Sequence, residues 1–142
     1  EALIKFPNDQ KLKTITGYIL FGKENVMKAY QLFGEGAQAF NDKNFTSAAD
    51  KFVKALDLYS SDYTFYENAG MSYIKAKQYA KSIAFFDKVL NKFETKDGKS
   101  EYGKAIALIS LNRKEEACEY LKISMSRNFK PAFKDYKLSC DN

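Results

Sequence analysis

Between Gly36 and Leu56 the chain runs GAQAFNDKNFTSAADKFVKAL, two amphipathic segments broken by polar residues at 42–44. The second segment sets Phe45, Ala48, Ala49, Phe52, Val53, Ala55 and Leu56 at helical spacing, which gives one apolar face. Gly70–Leu90, GMSYIKAKQYAKSIAFFDKVL, repeats the arrangement with Tyr73, Tyr79, Ile83, Phe86, Val89 and Leu90. A helical hairpin is expected in each.

Self-comparison extends the pattern to a period of 34 and then 35 residues, from Gly36 to Gly70 to Ala105. In the same frame Ala48 aligns with Ser82 and Ala117, Phe52 with Phe86 and Leu121, and Ala55 with Val89 and Ser124. Small residues recur where helices must approach closely, and large apolar ones recur beside them to fill the gap. The pattern predicts paired helices near 29–42 and 46–59, 63–76 and 79–92, and 98–111 and 114–126. Short polar side chains suggest helix starts at Thr46 or Ser47, at Ser61 or Asp62, and at Asp97. Strand-like alternation bounded by turn signals is missing from the sequence, so the fold class expected is all-α.

This pattern resembles the tetratricopeptide repeat (TPR), a helical hairpin of 34 residues with small and aromatic residues at set positions. The second repeat carries the resemblance best, through Tyr66, Gly70, Tyr73, Tyr79, Ser82, Phe86 and Val89. The first matches with Leu32, Gly36, Phe45, Ala48, Phe52 and Ala55, but Ala39 replaces an aromatic. The third keeps Ala105, Leu108, Ala117 and Leu121, yet Glu101 and Lys104 stand where the family has apolar residues and Lys114 where it has an aromatic. The resemblance implies a right-handed superhelix of antiparallel helix pairs, with repeats at 29–62, 63–97 and 98–131. Residues 1–28 then form an N-terminal helical flank, in which EALIKFPND looks like the end of a preceding repeat and 10–21 reads as a helix closed by Gly22. A further helix is expected to run from about Asn25 into the first repeat. Pro131 suits the first turn of a C-terminal capping helix over 132–142.

Composition narrows the function. The 142 residues carry 23 basic and 18 acidic side chains, a formal charge of +5, with both signs interleaved. The closest approach to a basic patch is Arg127, Lys130, Lys134 and Lys137, too small a set to predict nucleic-acid binding. No apolar run reaches the roughly 20 residues of a membrane span. Histidine is absent, which removes His-based nucleophilic sites and His metal ligands, and two cysteines cannot form a four-thiolate zinc site. DGKS at 97–100 lacks the glycine of a phosphate-binding loop, with Phe93 in its place. The stretch after Asp42 and Asn44 fails as a calcium loop, because Ser47 and Val53 replace the turn glycine and the Glu ligand. Glu115, Glu116 and Glu119 read as a solvated face pairing with Lys122 rather than as acid-base groups. Asn44-Phe45-Thr46 fits a glycosylation acceptor, a common chance match. No enzyme activity, cofactor or metal is expected.

In the family, the first helices of successive hairpins line a concave groove. The resemblance carries those positions to Phe33, Glu67 and Tyr102 in one row, Ala37, Met71 and Ile106 in the next, and Phe40, Ile74 and Ile109 in the deepest. Two rows hold no charge. Family members that grip acidic chaperone tails use Lys, Asn and Arg there; in this chain Phe33, Ala37 and Gly103 stand at such positions, although Asn68 and Lys99 fit. The expected partner is therefore an apolar peptide or amphipathic helix, with a structural module filled by its own chain or by a second copy (a homodimer) as the alternative. Cys118 and Cys140 lie about eleven residues either side of the turn at Asn128 and Phe129, so a hairpin would set them level. A disulfide or buried thiols remain alternatives at this point. A disulfide would favour a bacterial periplasm or cell envelope over the cytoplasm, and the C-terminal segment is similar to TPR proteins of bacterial envelopes.

Overall fold

The computed structural model describes residues 10–141, and EALIKFPND lies outside them. Among the described residues eight helices follow one another: α1 (Gln10–Phe21), α2 (Lys23–Asn41), α3 (Phe45–Leu58), α4 (Tyr63–Lys75), α5 (Tyr79–Lys92), α6 (Lys99–Ser110), α7 (Lys114–Ser126) and α8 (Lys130–Ser139). Among the described residues there is no strand, and no helix is long and apolar enough to cross a membrane. Sequential helices pack as antiparallel pairs, α2 on α3, α4 on α5 and α6 on α7, and the first helix of each pair also packs on the last helix of the pair before it. The result is an all-α right-handed solenoid.

The small residues recur where the helices cross. Ala48, Ser82 and Ala117 are fully buried. A Cβ on Gly36 would come within 2.9 Å of the Phe52 ring, and one on Gly70 within 2.8 Å of the Phe86 ring. Small residue and ring thus interlock across each hairpin, which is why the two sets recur in phase.

Helix ends follow the sequence expectation at some places and depart from it at others. Helix α2 begins at Lys23, within two residues of the start expected near Asn25, and runs unbroken into the first repeat, because no helix breaker lies between Lys23 and Ala29. The break falls at Gly22, whose φ of 85° is open to glycine. Asn44, not Thr46 or Ser47, precedes α3 and makes no side-chain cap. Asp62 caps α4 by accepting the Thr64 amide at 3.0 Å. Asp97 accepts the Lys99 amide at 3.0 Å, while Gly98 itself takes the left-handed conformation at the start of α6.

Candidate functional site

The three rows of first-helix residues meet different fates, and the first is taken up by the solenoid itself. Phe33 stacks on Phe65 of α4 with ring centroids 4.7 Å apart, and also meets Phe52. Glu67 is 1% exposed; its Oε1 accepts the Ser100 hydroxyl at 2.9 Å, and Lys99 Nζ lies 3.6 Å from its Oε2. Tyr102 donates its hydroxyl to Asp135 Oδ2 at 2.7 Å and packs its ring 5.0 Å from that of Phe129. Each row-one residue is therefore engaged by residues near the start of the next first helix. In this setting α8 stands where a fourth repeat would place its first helix. Burial pushes the Glu67 carboxyl above the usual range, only partly offset by Ser100 and Lys99. Burial, then the Asp135 hydrogen bond and charge, raises the Tyr102 phenol.

The remaining six residues are half-buried, as are Phe33 and Tyr102 of the first row. Ala37 and Phe40 lean on the core around Ala48, Phe52 and Ala69, and Phe40 meets Phe45 edge-on at 5.2 Å. Ile109, like Cys140, borders the core that holds Ala105, Leu121 and Ala132. Met71, Ile74 and Ile106 lie between these two ends. Helix α1 packs along α2, with Gly17 against the Tyr59 ring, and its Lys13 shares a cavity of about 560 Å³ with residues of the 61–63 and 93–97 turns. Ile15, Ile19 and Leu20 of α1 and Met27 of α2 remain exposed.

The two matches to the acidic-tail positions are occupied internally. Asn68 Nδ2 donates to the Thr64 carbonyl at 2.7 Å, and Lys99 faces Glu67. Gly103 cannot carry a side chain without collision, since a Cβ there would strike the Phe86 ring.

In the third repeat, Glu101 and Lys104 occupy apolar positions of the family pattern through pairing that sequence inspection missed. Glu101 Oε1 meets Arg127 Nη1 at 2.7 Å, and that nitrogen also donates to the Thr95 carbonyl at 2.7 Å. Lys104 Nζ meets Asp87 Oδ1 at 2.6 Å and donates to the Tyr120 hydroxyl at 2.8 Å. Burial alone would lower the Lys104 ammonium, but the Asp87 and Tyr120 hydrogen bonds outweigh it and raise it. Glu67–Ser100 and Tyr102–Asp135 are each 33 residues apart, close to one repeat, whereas the partners of Glu101 and Lys104 follow no such spacing, so the period gave no sign of them. Glu119 pairs with Lys122 at 3.0 Å on the exposed face of α7. Cys118 and Cys140 are joined, with their Cα atoms 5.8 Å apart.

No sequence-family profile and no curated protein matches the chain. Solved structures do. The TPR domain of Arabidopsis OM64 is 18% identical with a TM-score of 0.77, covering 83% of this chain and 98% of that one. The first TPR of Spaghetti (RPAP3), bound to the HSP90 peptide SRMEEVD, is 19% identical with a TM-score of 0.72, covering 82% and 93%. The C-terminal TPR-containing domain of a Plasmodium falciparum FK506-binding protein is 25% identical with a TM-score of 0.73, covering 84% and 90%. Period, helix pairing and these neighbours together make the chain a solenoid of the tetratricopeptide-repeat fold.

Proposed function

We propose that this chain is a non-catalytic interaction module whose concave face receives an apolar stretch of a partner polypeptide, either an amphipathic helix or an extended peptide. The observation that carries this reading is the composition of the two half-buried rows, Ala37, Met71 and Ile106 beside Phe40, Ile74 and Ile109, which lack charge across three repeats. Row one forms the wall of the groove, with the Glu67 carboxylate withdrawn from solvent. Met71 supplies a flexible contact that adapts to side chains of different shape. The Spaghetti domain binds the HSP90 peptide SRMEEVD, but here Asn68 and Lys99 are engaged internally and the buried carboxylate of Glu67 opposes a second negative charge.

Fluorescence anisotropy tests the proposal with a labelled Leu- and Met-rich amphipathic peptide as probe and SRMEEVD as contrast. The apolar peptide is expected to bind, and added salt to weaken it only slightly. Met71→Lys with Ile74→Glu is expected to weaken binding by about tenfold or more, roughly 1.4 kcal/mol, while the thermal midpoint hardly moves. Preferential binding of SRMEEVD would overturn the reading. So would a double variant that unfolds, or a wild-type dimer that the substitutions split, because the groove would then be structural.

A further inference from the structure

Helix α8 is attached unevenly. Its 10 residues fall short of the length at which an isolated helix holds in water, and its N-terminus makes no side-chain cap. The fixed points cluster near its start: Ala132 is fully buried, Phe129 lies on the Tyr102 ring, and Asp135 accepts the Tyr102 hydroxyl. Past Tyr136, which leans on the core, Lys137 is exposed and Leu138 is 66% exposed. The far end is tied to α7 by the covalent bond from Cys140 to Cys118. Both cysteines are half-buried rather than sealed in the core.

We propose that the Cys118–Cys140 bond is a redox latch that holds α8 over the third repeat, so that reduction by a dithiol releases this helix and bares the face beneath it. In the reaction a thiolate of the reductant attacks one sulfur and forms a mixed disulfide, and the other cysteine leaves as a thiolate and takes up a proton. The second thiol of the reductant then closes its own disulfide and frees the first cysteine. Two electrons and two protons reach the protein, and the dithiol is oxidised. Released α8 uncovers Tyr102 and the apolar cluster of Ala105, Leu108 and Leu121. The earlier repeats persist, since each is held chiefly by its neighbours in the stack. The inference concerns the cap and stands independently of what the groove binds.

Hydrogen exchange read by mass spectrometry tests it on the full chain, oxidised and then reduced with dithiothreitol, with alkylation confirming two thiols. Amides of 130–139 are expected to exchange about tenfold faster or more after reduction, while those of α3 to α5 keep their protection. The double variant Cys118→Ser with Cys140→Ser should match the reduced protein and ignore the reductant; if it does not fold, reduced wild type still gives the measurement. Unchanged protection of α8 after full reduction would overturn the latch. A simultaneous loss of protection in α3 to α7 would overturn it too, since the bond would then staple the whole domain. So would failure of the thiols to re-form the bond in a glutathione redox buffer.

Discussion

Lys43, Lys77 and Asn112 share one backbone state, with φ of 62°, 60° and 58°, and each closes the turn of one hairpin. An L-residue pays about 1–2 kcal/mol for the left-handed region, and glycine avoids that cost while giving back about 0.5–1 kcal/mol of chain entropy. Lys77→Gly is therefore expected to raise unfolding stability by up to about 1 kcal/mol, measured by urea titration. Residue type marked Asn112, since asparagine tolerates the left-handed region, but not Lys43 or Lys77, because lysine is not a turn signal. Their spacing of 34 and 35 residues marks all three. Glu67 makes a different case. Burial is the main cause that raises its pKa above the ordinary glutamate range, so in the pH window between the unfolded and folded values the native state binds more protons than the unfolded state. Its contribution is fully present below the unfolded pKa and is lost as pH rises through the folded one. Glu67→Gln keeps an acceptor for Ser100 and removes the buried charge. It is expected to raise the thermal midpoint at pH 7 by a few degrees and to change it less at pH 4, read from melts across that range.

The helix crossings were legible in the sequence because their demands are local and repeated. A ring such as Phe52 or Phe86 needs a glycine opposite and a small residue one turn away; the chain supplies this set in the first two repeats, and in the third Leu121 and Ala105 take the places of ring and glycine. Ala48 is fully buried in such a crossing, so Ala48→Leu is expected to overpack it and cost on the order of 1–3 kcal/mol in thermal or urea unfolding. Helix starts were less legible. Thr46 and Ser47 are good capping residues, but the turn closes earlier through the amide of Asn44 to the Ala39 carbonyl, and α3 starts on Phe45. Third-repeat positions departed from the family pattern in charge, and packing explains how. Lys104 is 8% exposed yet reaches Asp87, whose side chain is 39% exposed. Since Asp87 keeps water if its partner is removed, Lys104→Met, which restores an apolar residue, is expected to shift stability by no more than about 1 kcal/mol in either direction on denaturant titration.

As a whole the molecule is a stack in which each repeat depends on its neighbours, and this bears on the disulfide. Chain-entropy arguments assign roughly 3 kcal/mol to a bond closing a loop of this size. If α8 is released on its own, Cys118→Ser with Cys140→Ser should lower the main unfolding midpoint by less than that figure implies, because the remaining repeats still unfold as before; calorimetry of the variant against wild type checks it. The sequence alone determined the helical class, the period, the crossing residues and the turn that sets Cys118 level with Cys140. All of these rest on interactions within a helix or between adjacent helices, whose geometry is short-range and whose residue demands recur. Tertiary structure decided which first-helix residues are engaged by the next repeat and how the cysteines are paired. Phe33, Glu67 and Tyr102 looked equivalent to their groove neighbours along the helix, yet each is met by a residue 32 or 33 positions later. That meeting depends on the rise and twist from one repeat to the next, which no single helix encodes.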